Sequence, residues 1–316
     1  MSTSIEVPAR PRASESAARR GLVFLTVTAL TWGTTGTAAD LVYRVSDLGP
    51  IAVSFWRHLG GLALLLAVTA FLPDGARRRP ARPLRNRSVL LVGIGISMAV
   101  FQTAYFASVD VTGVAVATIV TLGSCPIVTA VGGRLFLGER IGRGGALAIA
   151  GALTGLAILV GGNAEGVVEP LGVALGLLSA AGYAGFALLG RLTGRDGNGE
   201  DPFTLTMWSF GIGAAVLLPL AWFEGLVPHG DGMWRVVALM GYLAVFTTAL
   251  AYPFYFAGAA RVRAATASVM MLIEPVTAAM LAVFLLGEAM TAATLAGTLI
   301  LLGSIACLAA AESRPA

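Results

Sequence analysis

The sequence predicts an all-α polytopic membrane protein with ten transmembrane helices arranged as two inverted five-helix repeats. Three observations carry this prediction. Of the 316 residues, 57% are apolar and only 12% are charged, which is about half the charge of an ordinary soluble domain. The chain contains ten long apolar segments. Its two halves also share short motifs in the same order.

The apolar segments define the predicted spans. A helix needs about 20 residues to cross the ~30 Å hydrocarbon core of a bilayer. Several of the links between segments have only a few residues, so neighbouring helices are expected to run antiparallel. The 40 glycines are typical of close contacts between packed transmembrane helices. The ten spans are predicted at 22–43, 49–72, 88–109, 112–137, 144–162, 170–191, 202–223, 234–259, 264–286 and 290–310.

These spans divide the chain into two units. The first five-helix repeat is expected over 21–163 and the second over 168–310. The polar ends, 1–20 and 311–316, are expected to be disordered cytoplasmic tails. The apolar stretch after residue 20 is too long for the core of a signal peptide, and we interpret it as a retained first helix.

The distribution of positive charge predicts the orientation. All 21 basic residues are arginines. With a cytoplasmic N-terminus, 18 of them fall in cytoplasmic segments and two, Arg44 and Arg235, fall outside, while Arg57 lies within a span. This is the positive-inside pattern. It predicts a multi-pass protein of a prokaryotic inner or plasma membrane, with both termini cytoplasmic. The arginines form no single patch, so membrane lipid is an expected partner and nucleic acid is not.

The internal repeat consists of a proline followed by a Leu-Gly-Glu motif. Pro126 precedes Glu139 by 13 residues, and Pro275 precedes Glu288 by the same 13 residues. The two units are 149 residues apart. Because each half has an odd number of spans, the halves are predicted to lie inverted across the membrane. Inverted repeats are typical of secondary transporters that work by alternating access.

These features together resemble the EamA-type branch of the drug/metabolite transporter superfamily. The matching residues are Trp32-Gly33 in the first span, Pro50 with Arg57 in the second, and the two Pro…Leu-Gly-Glu units. The resemblance covers residues 21–310. It implies a central cavity lined by helices one to four and six to nine, with helices five and ten at the periphery, where they could support a homodimer. Most relatives export amino acids, metabolites or toxic organic compounds, and some are importers.

Glu274 is the first candidate site residue. It lies in the middle of the ninth predicted span, directly before Pro275. A carboxylate at this depth is costly unless it faces a cavity or a partner. We therefore predict that Glu274 couples transport to protons or binds the substrate, and the alternative is a structural pair with a neighbouring helix. Cys125 occupies the matching position in the first half, so the two halves differ chemically there.

Arg57 and the neighbouring His58 lie within the second span. The guanidinium of Arg57 could bind a substrate carboxylate through two hydrogen bonds. It could equally reach the outer surface or pair with Asp40 or Asp47, and its position favours this structural interpretation. His58 is interpreted as a polar packing residue.

Aromatic and polar side chains are predicted to line the cavity. A cavity lined in this way suits an amphipathic or cationic organic substrate, because aromatic rings stack on ligands and make cation–π contacts. The alternative is that these side chains pack helices or anchor them at the membrane interface. Besides Arg57, the cavity candidates are Trp32, Gln102, Tyr105, Tyr183, Trp208, Tyr252 and Tyr255.

Prolines predict helix kinks, because proline lacks the backbone donor and its ring clashes with the preceding turn. Pro126, Pro253 and Pro275 lie inside predicted spans. Glu139 and Glu288 fall at helix ends and are interpreted as caps or turn residues. The Gly-x-x-x-Gly pairs at 151–155 and 172–176 predict close helix contacts.

Enzymatic motifs of the GxSxG, Walker A and HExxH types do not occur in the sequence, and none of its features predicts a cofactor, a metal ion or enzymatic activity. The expected function is a proton-coupled exporter of a small amphipathic metabolite, amino acid or drug. An importer, an exchanger and an uncoupled uniporter remain open, and a membrane enzyme or adaptor is a more distant alternative.

Overall fold

The computed structural model describes residues 12–71, 88–138, 143–161, 169–194, 202–229, 232–259, 261 and 270–312. Most of these residues are helical, and none of them lies in a β-strand. The helices are α1 Arg12–Gly33, α2 Thr35–Val45, α3 Pro50–Phe71, α4 Ser88–Thr112, α5 Val114–Leu137, α6 Arg143–Gly161, α7 Pro170–Gly194, α8 Pro202–Glu224, α9 Met233–Ala244, α10 Ala251–Ala259, α11 Ile273–Phe284 and α12 Ala292–Glu312.

Within the described residues, seven helical stretches are long and apolar enough to cross a membrane. They establish an all-helical, multi-pass membrane protein. Three shorter apolar helices, Ile149–Ile158, Ile273–Phe284 and Ala292–Ser304, coincide with the three other predicted spans. Ten spans therefore remain a prediction. The seven stretches are Ala18–Val45, Pro50–Val68, Ser88–Thr112, Val114–Phe136, Pro170–Gly190, Phe203–Glu224 and Met233–Ala259.

The chain is helical beyond the predicted outer limits of the spans at both ends. Helix α1 begins at Arg12 and α12 ends at Glu312, inside the segments predicted as tails. Ala, Glu and Arg are good helix formers, so the helix continues past the apolar residues. The remaining tail residues, 1–11 and 313–316, lie outside the described part of the chain.

Three spans have interrupted helices. A turn at Thr34 separates α1 from α2, and its backbone N–H donates to Thr31 O at 3.2 Å. A π-helical segment, Val245–Leu250, joins α9 to α10. A turn at Leu272 directly precedes α11. Such irregular turns release backbone groups from the usual hydrogen-bond ladder, and all three lie beside candidate site residues.

The repeated Leu-Gly-Glu motifs share a backbone conformation at their glycines. Gly138 has φ 70° and Gly287 has φ 73°, in the left-handed region that favours glycine after a helix. The carboxylate of Glu288 accepts hydrogen bonds from the backbone N–H groups of Val114, at 2.6 Å, and Ala115, at 3.0 Å. Glu288 therefore caps the start of α5, and Glu139 lies outside the described residues.

Glycines permit close helix contacts within the chain. A Cβ atom at Gly155 on α6 would lie 2.9 Å from the carbonyl oxygen of Gly297 on α12. Gly172 and Gly176 on α7 approach α4 and α5 in the same way, at Thr112 and Val120. The two predicted Gly-x-x-x-Gly pairs thus make intramolecular contacts.

Two of the segments predicted outside the membrane contact each other. The Nδ1 atom of His229, after α8, lies 3.0 Å from Asp47 Oδ2 between α2 and α3. At the end of α8, Glu224 accepts a hydrogen bond from the N–H of Ala52 at 2.6 Å. The first contact joins the link before α3 to the link after α8, and the second joins the first turn of α3 to the end of α8.

Candidate functional site

The backbone carbonyl of Thr247 joins three spans. It belongs to the π-helical segment and accepts a hydrogen bond from Trp32 Nε1 at 2.9 Å. The Nη2 atom of Arg57 donates to the same oxygen at 3.5 Å. Arg57 Nε also donates to Thr248 Oγ1 at 3.4 Å. This one carbonyl oxygen therefore accepts hydrogen bonds from side chains of both α1 and α3.

Aromatic rings surround this junction. The rings of Trp32 and Tyr252 are 5.1 Å apart in an edge-to-face arrangement, and those of Trp32 and Tyr255 are 5.3 Å apart. Tyr252 also meets Phe210 at 5.6 Å. These centroid distances lie within the favourable range for aromatic pairs. The first, seventh and eighth predicted spans therefore contribute to one aromatic cluster.

Tyr183 lies in a second group of rings. It is 5.4 Å from Phe101 and 6.5 Å from Phe186. Its hydroxyl makes no hydrogen bond to another described residue, and neither do the hydroxyls of Tyr252 and Tyr255.

Glu274 is the second residue of α11. Its backbone lies against α1, because a Cβ atom at Gly33 would be 2.8 Å from Glu274 O. The side chain is only partly buried, and within the described residues its carboxylate has no hydrogen bond or ion pair. The groups that interact with it electrostatically are Arg57, Tyr105, Cys125, Tyr183, Tyr252 and Tyr255.

Arg57 lies inside the helix bundle. Its exposed fraction is 6%, and its guanidinium carbon is 5.6 Å from the centroid of the Phe106 ring. Asp40 is instead paired with Arg44 at 2.6 Å, and Asp47 contacts His229. Among the described residues, Arg57 therefore neither reaches the outer surface nor pairs with these aspartates. His58 is buried, with Nδ1 2.7 Å from Ser54 O.

The two polar candidates on α4 differ. Tyr105 is buried and its hydroxyl lies 2.9 Å from Thr118 Oγ1 on α5, so it is already engaged in helix packing. Gln102 is 1% exposed, and neither its Oε1 nor its Nε2 has a hydrogen-bond partner in the described part of the chain. Only Gln102 retains free hydrogen-bonding capacity.

Trp208 does not join the aromatic cluster. It is 40% exposed, whereas Phe210, on the same helix, is fully buried and packs with Tyr252. Trp208 is therefore on the outer face of α8.

The three prolines lie in different settings. Pro126 is inside α5, where it leaves one carbonyl without its usual donor. Pro253 follows the π-helical segment by three residues, and Pro275 follows the turn at Leu272 by the same interval. A proline ring obstructs the regular helix one turn earlier, which accounts for both interruptions. These backbone irregularities adjoin the aromatic cluster and Glu274.

Sequence reasoning missed Thr247 and Thr248. Both are buried threonines in an apolar span, and each donates its hydroxyl to Leu243 O. Their importance comes from the π-helical backbone, and the nearby Pro253 was the available signal. The described residues contain no group of three or more His, Cys, Asp or Glu side chains that could hold a metal ion.

Comparison with known proteins gives consistent results. A model of the EamA-like transporter family matches residues 19–161 and, a second time, 170–310. The chain is 29% identical over 266 residues to the uncharacterized transporter YwfM of Bacillus subtilis, covering 82% of this chain and 83% of that protein. It is 24% identical over 293 residues to the uncharacterized inner membrane transporter YicL of Salmonella typhimurium, covering 91% and 94%.

The fold also has a counterpart among solved structures. One crystal structure aligns with a TM-score of 0.57 over 95% of this chain and 99% of its own, at 21% sequence identity. At that identity the likeness concerns the fold alone. The double match of the family model covers nearly the whole chain and agrees with the repeat of the Pro…Leu-Gly-Glu units. This chain belongs to the EamA-like transporter family.

Proposed function

We propose that this protein is a secondary transporter that exports a small amphipathic metabolite, amino acid or drug in exchange for protons. The observation that carries the proposal is the carboxylate of Glu274. It is partly accessible and has no protein partner in the described part of the chain. Because an ionisable group inside a membrane is costly, such groups are usually retained for function.

The aromatic cluster is proposed to select the substrate. The ring of Trp32, which donates to Thr247 O, lies 5.1 Å from the ring of Tyr252 and 5.3 Å from that of Tyr255. Rings of this kind bind apolar and cationic parts of a ligand by burial and cation–π contact. The hydroxyls of Tyr252 and Tyr255, which make no hydrogen bond to another described residue, are proposed to bind its polar end. A small molecule with an apolar body and a polar end fits this combination.

Coupling is proposed to arise from competition at Glu274. A proton and a substrate group cannot both occupy the same carboxylate oxygen. If each binds only when the other has left, the movement of one drives the other in the opposite direction, because coupling is reciprocal. The low polarity of the surrounding apolar helices strengthens this exclusion.

Alternating access is proposed to use ten spans in two inverted halves. The interruptions at Thr34, Val245–Leu250 and Leu272 adjoin the site, and irregular backbone beside a cavity is typical of transporter binding sites. The arginine distribution supports a prokaryotic inner membrane with both termini cytoplasmic.

The test uses purified protein in liposomes loaded with a fluorescent pH indicator. We would add amino acids, aromatic carboxylates and aromatic amines, each also in labelled form, under defined pH gradients. We expect at least one solute to cross the bilayer from the cytoplasmic side of the protein to its outer side. Protons are expected to move in the opposite direction. Liposomes without protein are the blank.

Other outcomes contradict parts of the proposal. Solute movement without proton movement indicates a uniporter, and strict co-movement with protons indicates an importer. Enzymatic conversion of a solute without its movement across the bilayer would contradict the transporter function itself.

A further inference from the structure

The guanidinium of Arg57 is incompletely neutralised by protein groups. It is almost fully buried, yet its contacts in the described residues are two long hydrogen bonds, of 3.4 and 3.5 Å, and the face of the Phe106 ring. Glu274 interacts with it electrostatically, but no ion pair joins the two residues. A guanidinium carries five N–H donors, and the described residues accept from only two of its nitrogen atoms.

Gln102 supplies a second free polar group on the facing helix. It lies four residues before Phe106 on α4, and residues at that spacing share a helix face. Since Phe106 contacts the guanidinium of Arg57, Gln102 is on the face of α4 that meets α3. Both of its amide atoms are buried without a partner. Leaving such an amide unpaired costs stability, which points to a ligand that satisfies it.

We propose that Arg57 and Gln102 form an anion-binding subsite that recognises a carboxylate on the transported molecule. This inference rests on the proposed transport function and assigns a chemical class to its substrate. A guanidinium matches the geometry of a carboxylate through two parallel hydrogen bonds, and the amide N–H₂ of Gln102 is a third donor. The substrate then carries its carboxylate toward α3 and α4 and its apolar part toward the rings of Trp32 and Tyr252.

The contacts of Thr247 allow Arg57 to turn toward a ligand. Trp32 holds this carbonyl at 2.9 Å, whereas Arg57 is held only by the longer contacts. The guanidinium can therefore leave Thr247 for a carboxylate without leaving that carbonyl unpaired. An unpaired buried carbonyl would otherwise oppose binding.

The experiment compares four probes that differ in two features. They are L-phenylalanine, L-phenylalaninamide, 3-phenylpropionate and 3-phenylpropionamide, titrated against the purified full-length protein by calorimetry, with thermal stabilisation as the second readout. Each carboxylate is expected to bind about tenfold or more tightly than its amide counterpart, since a charged hydrogen bond is lost in the amide. Arg57→Gln is expected to abolish this preference.

Three further variants sharpen the test. Arg57→Lys keeps the charge and loses the planar fork, so it should retain only part of the preference. Gln102→Leu should lower the affinity for carboxylates while leaving the stability of the ligand-free protein unchanged or higher, because it removes unpaired polar atoms. Arg44→Gln is the matched control, since Arg44 is an exposed arginine bound to Asp40, and it should keep the full preference.

The inference is overturned if carboxylates and amides bind alike, if none of the four probes binds the wild-type protein, or if Arg57→Gln keeps the preference. The proposed transport function can stand when this inference fails. Proton movement driven by an amide or an amine in the liposome assay would sustain the transport function while the carboxylate subsite is rejected.

Discussion

Trp32 donates its indole N–H to the backbone carbonyl of Thr247 across 2.9 Å, and this bond connects the first span to the π-helical segment of another. The carbonyl belongs to Val245–Leu250, where the backbone is π-helical. One side chain of the aromatic cluster thus also holds the irregular backbone in place. The bond connects the ring proposed to contact the substrate to the π-helical segment.

Replacing Trp32 with Phe should keep an aromatic ring and remove the donor to Thr247. The expected cost is about 1 kcal/mol of unfolding free energy, the usual net value of one hydrogen bond. Denaturant titration in detergent, followed by circular dichroism, measures it. Trp222→Phe is the control, because Trp222 is 72% exposed and should change stability little. Equal effects of both changes would contradict a structural role for this bond.

Gly33→Ala should separate α1 from α11. The added Cβ atom would lie 2.8 Å from Glu274 O and 2.6 Å from Thr277 Cβ, closer than real Cβ contacts allow, so a loss of about 1–3 kcal/mol is expected. Gly241→Ala is the matched control, because nothing lies within 4 Å of its added atom. That control should be neutral or stabilising by up to about 1 kcal/mol. Thermal unfolding of both variants measures the difference.

The helical fold was largely predictable from the sequence, because span length and apolar composition depend on the bilayer rather than on tertiary detail. The helix interruptions were harder to predict from the sequence. Pro275 and Pro253 indicated disturbed helices, but the turn at Leu272 and the π-helical segment depend on how each backbone packs. Thr34 carried no comparable signal, since threonine is compatible with a regular helix.

Glu288→Ala should destabilise the start of α5. The carboxylate accepts hydrogen bonds from Val114 and Ala115 and lies at the positive end of the helix dipole. Loss of such a cap costs about 1–2 kcal/mol. Asp40→Ala is the control, since it removes a partly exposed pair with Arg44 that is worth less than about 1 kcal/mol. Unfolding midpoints should fall more for Glu288→Ala, and the reverse order would reject the cap.

The contact between Asp47 and His229, which joins the link before α3 to the link after α8, is expected to stabilise the protein in a pH-dependent way. Hydrogen bonds from the backbone N–H and then the side chain of His229 lower the pKa of Asp47 below its usual value. The stabilising contact is therefore complete above the ordinary aspartate pKa of about 4. It is lost as the pH falls through the lowered value.

Unfolding of the wild-type protein and of Asp47→Asn should be compared from neutral to acidic pH. The wild type is expected to be slightly more stable at pH 7, with the difference vanishing in acid. A difference that grows as the pH falls would contradict the contact.

The sequence placed Glu274, Arg57, Trp32, Tyr252 and Tyr255 among the candidates, and the structure brings them near one junction. Residue type and depth selected Glu274 because an ionisable group inside a span is costly, whereas they left helix packing open for the aromatic residues and favoured a structural role for Arg57. Trp208 shows the limit of that reasoning. The face of α8 that carries Trp208 depends on the rotation of the helix about its axis. Apolar residues lie on all sides of this helix, so the sequence does not indicate which face packs against the other helices.

The most direct test of the central claim is the effect of Glu274→Gln on proton-driven transport in liposomes. The amide keeps the shape of the side chain but cannot exchange a proton. With a solute that the wild type moves, the account predicts that solute–solute counterflow persists while accumulation driven by a pH gradient falls to the level of protein-free liposomes. Accumulation by Glu274→Gln at the wild-type level would contradict it.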